Sequence, residues 1–317
     1  MPKYNRINAV FCIFLIACIV FLLVAPFVLL PQINPAYQFL SISRNGVFLE
    51  LWEIDTFEGG TNSRAKFLEQ MAVDYQNTHK GVYIIVRNLT VEQCTTMLEQ
   101  GNIPDIVSFG TGAGDMLCAY TQKIDIKTNI TNPLLASGQI AGVQYAVPWC
   151  VGGYVQCQMT DSCQTYGTGG EYNAQCVVQN VQRYVTQYDA YKAFCEGQFD
   201  VLIGTQRDYY RLSNKLNLGV ISNCQFLYDN NYTDLVQYLS ILSQNEQIKE
   251  HAQDYIKCIL DDATQSKLSN IGMFGVNGQK IYKGTSIEEF ENSVLSIKEV
   301  QNAFVSIERI HQLQGIL

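Results

Sequence analysis

The sequence predicts an α/β fold of two lobes, preceded by one N-terminal transmembrane helix. Three observations point there. The chain has 317 residues, 47% of them hydrophobic, which is enough to fill two cores. Ala9 to Leu30 contains no charged residue, and about 20 apolar residues suffice to span a bilayer core. Beyond it, segments alternate as β-α-β-α-β with short connections, the order of a parallel sheet with right-handed crossovers.

The apolar run comes first. Lys3 and Arg6 precede it, so the positive-inside rule puts the N-terminus in the cytoplasm and the main domain outside. Leu15-Ile16-Ala17-Cys18 resembles a lipoprotein cleavage box, which would make Cys18 a lipidated terminus. The run continues apolar to Leu30, however, where a lipoprotein turns polar at once. A cleaved secretory signal needs a shorter apolar core and a small-residue cleavage site. The expectation is an uncleaved signal anchor over 1–31 and a tether over 32–46.

Val47 to Ile54 alternates as a first strand, and a polar loop follows with Asp55, Glu58, Asn62 and Arg64. Phe67, Leu68, Met71, Ala72 and Tyr75 then recur at helical spacing, predicting a helix from Ser63 to His79. Gly81 stops it, and Val82 to Val86 is a second, β-branched strand. Thr90 with Gln93 three places on forms a capping box for the next helix. Gly101 ends that helix in the left-handed conformation open to glycine, and Pro104 prevents its resumption. Ile106, Val107 and Phe109 make a buried third strand that empties into Gly110-Thr111-Gly112-Ala113-Gly114. Such a strand end is where open α/β sheets bind ligands. The spacing is not that of a dinucleotide loop, and no Gly-Lys-Ser/Thr follows. One wall of a ligand cleft, or a plain turn, remains.

Composition narrows the function. The net charge is −8 and no basic patch is visible, which argues against nucleic acid. His79, His251 and His311 have no metal-ligand spacing, and there is no Gly-x-Ser-x-Gly, His-Glu-x-x-His or Cys-x-x-Cys. Asp261 and Asp262 are adjacent on a helix and point apart, a poor acid/base pair. The expectation is no enzyme, no metal and no cofactor. Eleven cysteines are present. Cys150, Cys157, Cys163 and Cys176 are close enough in sequence for one or two bridges outside the cell, and free buried thiols fit equally well. Asn88, Asn129 and Asn231 begin Asn-x-Ser/Thr triplets, which matter only where secreted chains are glycosylated.

Four segments carry a family resemblance: "FLEQMAVDYQNTHKGVYIIV", "LEQGNIPDIVSFG", "GVQYAVPWCVGGY" and "FCEGQFDVLIGTQRD". In order and spacing they resemble the extracellular solute-binding proteins of ABC importers, nearest the sugar and oligosaccharide branch. "KCILDDATQSKLSNIGMFGV" resembles that family's C-terminal helices and the strand after them. The resemblance implies a two-lobe periplasmic-binding-protein-like fold with a hinge of crossing strands. It places 47–146 and 232–282 in lobe 1, and 147–231 with 283–317 in lobe 2. The region between Tyr154 and Phe194 is shorter than the family's, so a reduced second lobe is expected. Its partners would be a small-molecule solute, a sugar by resemblance, and ABC permease subunits in the membrane. A receptor that signals without transport and an ectoenzyme are the alternatives.

Sugars present hydroxyls at their edges and C–H groups on their faces, so a sugar cleft wants planar polar groups and aromatic platforms. Candidates are Asp55, Glu58, Asn62 and Arg64 after the first strand, with Gly110 and Thr111 in the glycine loop. Thr205, Gln206, Arg207, Asp208 and Tyr209 follow the apolar run Val201–Ile203, and Trp149 and Tyr154 stand near the hinge. Each has a structural alternative. Asp55 and Glu58 suit a helix N-terminus, Arg64 and Arg207 suit ion pairs, and Trp149 suits core packing. From Ser286 to Leu317, Phe290, Val294, Ile297, Val300, Phe304, Ile307 and His311 recur at helical spacing. One or two amphipathic helices on lobe 2 are expected there, with a partner-docking surface as the alternative.

Overall fold

A computed structural model of the chain describes residues 46–161, 163–170, 181–228, 231–306, 308, 309 and 312. The expected membrane helix, the tether up to residue 45, Cys12, Cys18, Cys176 and His311 lie outside these. Among the described residues no helix is long and apolar enough to cross a membrane. The described residues divide into two units, 46–47 with 80–82, and the described residues of 48–79 and from 83 onward. In the small unit the Val47 N–H donates to the Gly81 carbonyl at 2.8 Å.

The first elements are β1 (Val47–Ile54), α1 (Arg64–Thr78), β2 (Val82–Leu89), α2 (Val91–Glu99), β3 (Ile106–Gly110), α3 (Gly114–Leu117) and α4 (Asn132–Ser137). A hairpin of β4 (Gln139–Ile140) and β5 (Val143–Gln144) leads to β6 (Val147–Val151). There follow β7 (Tyr154–Gln158), β8 (Tyr166–Gly169), β9 (Gln182–Tyr184), α5 (Gln187–Cys195), β10 (Val201–Thr205), α6 (Gln206–Asn217) and β11 (Gln225–Leu227). The chain closes with β12 (Tyr232–Thr233), β13 (Val236–Ile241), α7 (Glu246–Leu260), α8 (Asp262–Ser266), α9 (Glu288–Leu295) and β14 (Glu299–Val300).

Two five-stranded sheets result, ordered β2-β1-β3-β13-β6 and β11-β7-β10-β8-β9. β1 and β3 pair in parallel, Leu51 opposite Ile106 and Ile54 opposite Phe109. β13 enters antiparallel between β3 and β6, so the first sheet is mixed and not parallel throughout. Local chemistry sets the helices. Ser63 accepts from the Lys66 N–H to start α1, and His79 ends it. The Thr90–Gln93 capping box starts α2. α1 buries Phe67, Leu68, Met71, Ala72 and Tyr75, and α7 meets that face where the Tyr255 hydroxyl donates to the Leu68 carbonyl at 2.9 Å.

The chain leaves the first sheet at Gly152-Gly153, between β6 and β7. β6 pairs with β13 through Val147, Pro148, Cys150 and Val151, with an irregularity at Gln237/Tyr238, so residues 147–151 belong to the first sheet. The return runs through β12 into β13. The tail also departs from expectation. Between residues 286 and 306 the helix is Glu288–Leu295, its Phe290 stacking against Tyr228 and packing on Tyr209 and Phe274. β14 then pairs in parallel with β12, and Phe304 reaches Phe109 of the first sheet at 6.1 Å between ring centroids. The apolar spacing that read as one face of a helix is divided between a helix and an extended strap. Every described cysteine is a free thiol, with Cys150 and Cys157 buried.

Candidate ligand cleft

The polar loop after β1 meets the N-terminus of α6. The Thr205 hydroxyl donates to the Glu58 carbonyl at 2.8 Å, and Arg207 Nε donates to the Gly60 carbonyl at 3.2 Å. The Glu58 carboxylate pairs with Arg211 at 3.2 Å and with Arg207 at 3.6 Å. A cleft of ≈ 640 Å³ opens beside these contacts. The first lobe lines it with Asp55 to Gly59, Thr61 to Arg64, and Asn88. The second contributes Gly170, Val185, Thr186, Gln187 and Arg207. A second compartment of ≈ 580 Å³ adjoins it, lined by Asp55, Thr56, Asn88 to Gln93, Thr111 and Gly112.

Beneath the cleft lies a buried polar network. Arg64 is 3% exposed and is held by Asp55 at 2.6 Å and by the Phe57 carbonyl at 2.6 Å, with its guanidinium 4.1 Å from the Phe57 ring centroid. Glu53 lies 3.8 Å from Arg64 and accepts from Gln237 Nε2 at 3.0 Å. Gln237 Nε2 also donates to Ser108, which receives the Trp149 indole N–H at 3.0 Å. Burial pushes the Glu53 carboxyl well above its ordinary value and the Asp55 charge adds to that, while Arg64 pulls it back. Glu53 Oε2, Arg64 Nη1 and Gln237 Oε1 are buried without a partner.

Of the residues singled out in the sequence, Asp55, Glu58, Asn62, Arg64 and Arg207 line the cleft, and Thr111 lines the second compartment. Asn62 also donates to the Asn270 carbonyl at 2.8 Å. The others do not line either space. Trp149 is fully buried and stacks on Phe67, with ring centroids 5.6 Å apart, so it is core and not a platform. Tyr154 is buried and donates to Asp234 at 2.5 Å. Gly110 packs so closely that an added Cβ would stand 2.1 Å from Thr56 Oγ1.

The Thr205–Tyr209 run proves to be a helix start. Thr205 and Asp208 form its capping box. Gln187 and Arg211 donate to the Asp208 carboxylate. Burial raises the Asp208 carboxyl above its ordinary range, opposed by the Thr205 N–H and Arg211. Gln206 accepts from the Gly153 N–H at 3.3 Å and approaches Met273 Sδ at 3.2 Å. Tyr209 is buried, its hydroxyl donating to the Ser286 carbonyl at 2.7 Å. Sequence reading missed Asn88, Thr186 and Gln187. Thr186-x-x-Asp189 is itself a capping box and marked the helix start that brings the latter two to the cleft.

No protein-family model and no curated protein matches the chain in sequence. Solved structures match it in shape. The GacH receptor of Streptomyces glaucescens, solved unliganded and with acarbose, superposes with a TM-score of 0.60 at 10% identity, over 86% of this chain and 93% of that one. The sugar-binding protein MalE of Xanthomonas citri gives 0.60 at 11%, with the same coverage of 86% and 93%. Iron-bound HitA of Pseudomonas aeruginosa gives 0.60 at 15%, over 85% and 99%. Proteins with very different ligands thus share one architecture, and at these identities the likeness is one of fold. The chain has the two-lobed α/β fold of extracellular solute-binding proteins.

Proposed function

We propose that this chain is a membrane-anchored extracellular solute-binding protein that captures a carbohydrate for an ABC importer. One observation carries the reading: polar side chains from both lobes, Asp55, Glu58, Asn62, Gln187 and Arg207 among them, line a single cleft. Carboxylates, amides and guanidinium groups in that mixture suit the alternating donors and acceptors of sugar hydroxyls. The C–H faces of a sugar would meet Val185, which is 87% exposed. Solved neighbours of the same fold include a sugar-binding protein and a receptor in complex with acarbose, which supports the choice of solute. Among the described residues no group of three or more His, Cys, Asp or Glu side chains is placed to hold a metal ion. The anchor rests on the uncharged run Ala9–Leu30 behind Lys3 and Arg6.

The test is a thermal-shift screen of the detergent-solubilised full chain against sugars, because a ligand that binds only the folded state raises apparent stability. A rise with at least one sugar is expected. No response to any sugar, beside a clear response to another solute class, would contradict the reading.

A further inference from the structure

The second sheet brings together two thiols that the cleft does not use. β11 pairs antiparallel with β7, Phe226 opposite Cys157 and Gln225 opposite Gln158. Cys224 stands two residues before Phe226, so its side chain falls on the same face as Cys157 and diagonal to it. Both are free thiols, Cys157 fully buried and Cys224 8% exposed. The two lie within hydrogen-bonding reach of each other. That contact lowers the Cys224 thiol from its ordinary value, the Gln158 backbone adding to it and burial opposing. Burial, and then the same contact, hold the Cys157 thiol well above its own. Cys224 therefore ionises first, and the thiolate is the attacking species in thiol–disulfide exchange. β11 is three residues long and lies at the edge of its sheet. Leu218 and Val220, in the segment that leads to it, are 70% and 65% exposed. A short edge strand behind an exposed segment opens locally at low cost, which brings Cys224 to an oxidant.

We infer that Cys157 and Cys224 are joined by a disulfide when the chain meets an oxidising exterior, the donor being a small-molecule disulfide or the disulfide of an oxidoreductase. This inference rests on the extracellular placement proposed above. The Cys224 thiolate attacks one sulfur of the donor, forms a mixed disulfide and expels the donor's first thiolate. The Cys157 thiolate then attacks the Cys224 sulfur, closes the bridge and expels the second. The protons lost by the two cysteines go to the two expelled thiolates, so the donor is reduced as the pair is oxidised. A diagonal cross-strand pair stands roughly 7–8 Å apart, and a bridge needs Cα atoms about 4.4–6.8 Å apart. Cys224 lies just outside the paired residues of β11, so it moves in without breaking the ladder. The bridge closes a loop that holds β8, β9, α5, β10 and α6, and long loops are where a crosslink restrains the unfolded chain most. It also pins β11 in place, with Phe226 on Tyr209 at 4.7 Å between ring centroids.

The experiment is thiol trapping on the detergent-solubilised full chain, before and after incubation with oxidised glutathione, read by peptide mapping and by a melt. Oxidation should yield a linked peptide pair joining Cys157 to Cys224 and raise the melting temperature by about 5 °C or more. Cys224→Ser should abolish both changes, and Cys157→Ala stands in if that variant does not fold. Alkylation of both thiols after oxidation would overturn the inference, as would either one linked to a different cysteine. Trapping in intact, aerobically grown cells reads the placement separately. A pair that bridges in solution yet is trapped as free thiols in cells upholds the inference and contradicts the extracellular reading.

Discussion

Arg207 reaches across the cleft to the Gly60 carbonyl and the Glu58 carboxylate while its side chain stays 33% exposed. A surface ion pair in that setting adds little to stability, whereas a charged hydrogen bond to a ligand is worth about 1.5–3 kcal/mol. Arg207→Ala should therefore weaken ligand binding roughly ten- to a hundredfold and leave the melting temperature nearly unchanged. Calorimetry beside a melt checks both, and an unfolded variant with normal affinity in its folded fraction would make Arg207 structural. Glu53 gives a different prediction. Its carboxyl is raised by burial above 4.5, so the folded state holds a proton that the unfolded state has released. Stability should then fall as pH rises from that value to the folded one, by at most about 1.4 kcal/mol per pH unit. Glu53→Gln should flatten that slope in a denaturation series run upward in pH from the ordinary carboxylate range, and an identical slope would show that Glu53 does not produce it. The burial of Glu53 was not legible in the sequence, and for Trp149 the sequence left core packing and a stacking platform both open. Each depends on β3, β6 and β13 closing over it, and those contacts span more than a hundred residues for Glu53 with Gln237.

Helix starts were legible because their chemistry is local. Ser63 and Thr90 cap the helices expected of them. The same rule applied to Thr205-x-x-Asp208 would have marked a capping box where the sequence suggested a row of ligand groups. The antiparallel entry of β13 and the strap after α9 were not legible, because a strand's neighbours are set by the whole sheet and not by its own residues. The strap passes directly over α3, where a Cβ on Gly114 would stand 2.0 Å from the Ala303 carbonyl oxygen. Gly114→Ala should cost about 1–3 kcal/mol through that overlap and should expose residues 296–306 to protease. A variant as stable and as resistant as the parent would show that the strap is not seated on α3.

At the scale of the molecule, the two sheets are joined at Gly152-Gly153, through β12 and along the tail strap, and the cleft lies beside the contacts between Glu58–Gly60 and Thr205–Arg211. The alternation of strands and helices made the first lobe legible in outline. The meeting of the two cleft walls required the fold, because Glu58 and Thr205 are 147 residues apart. The central claim is that one solute is held by both walls at once, as hinge closure around a ligand requires. Hydrogen–deuterium exchange on the full chain, with and without the best-binding sugar, tests it most directly. The account predicts simultaneous protection of residues 55–64 in the first lobe and of 185–187 and 206–207 in the second. Protection confined to one lobe, or lying away from these segments, would contradict it.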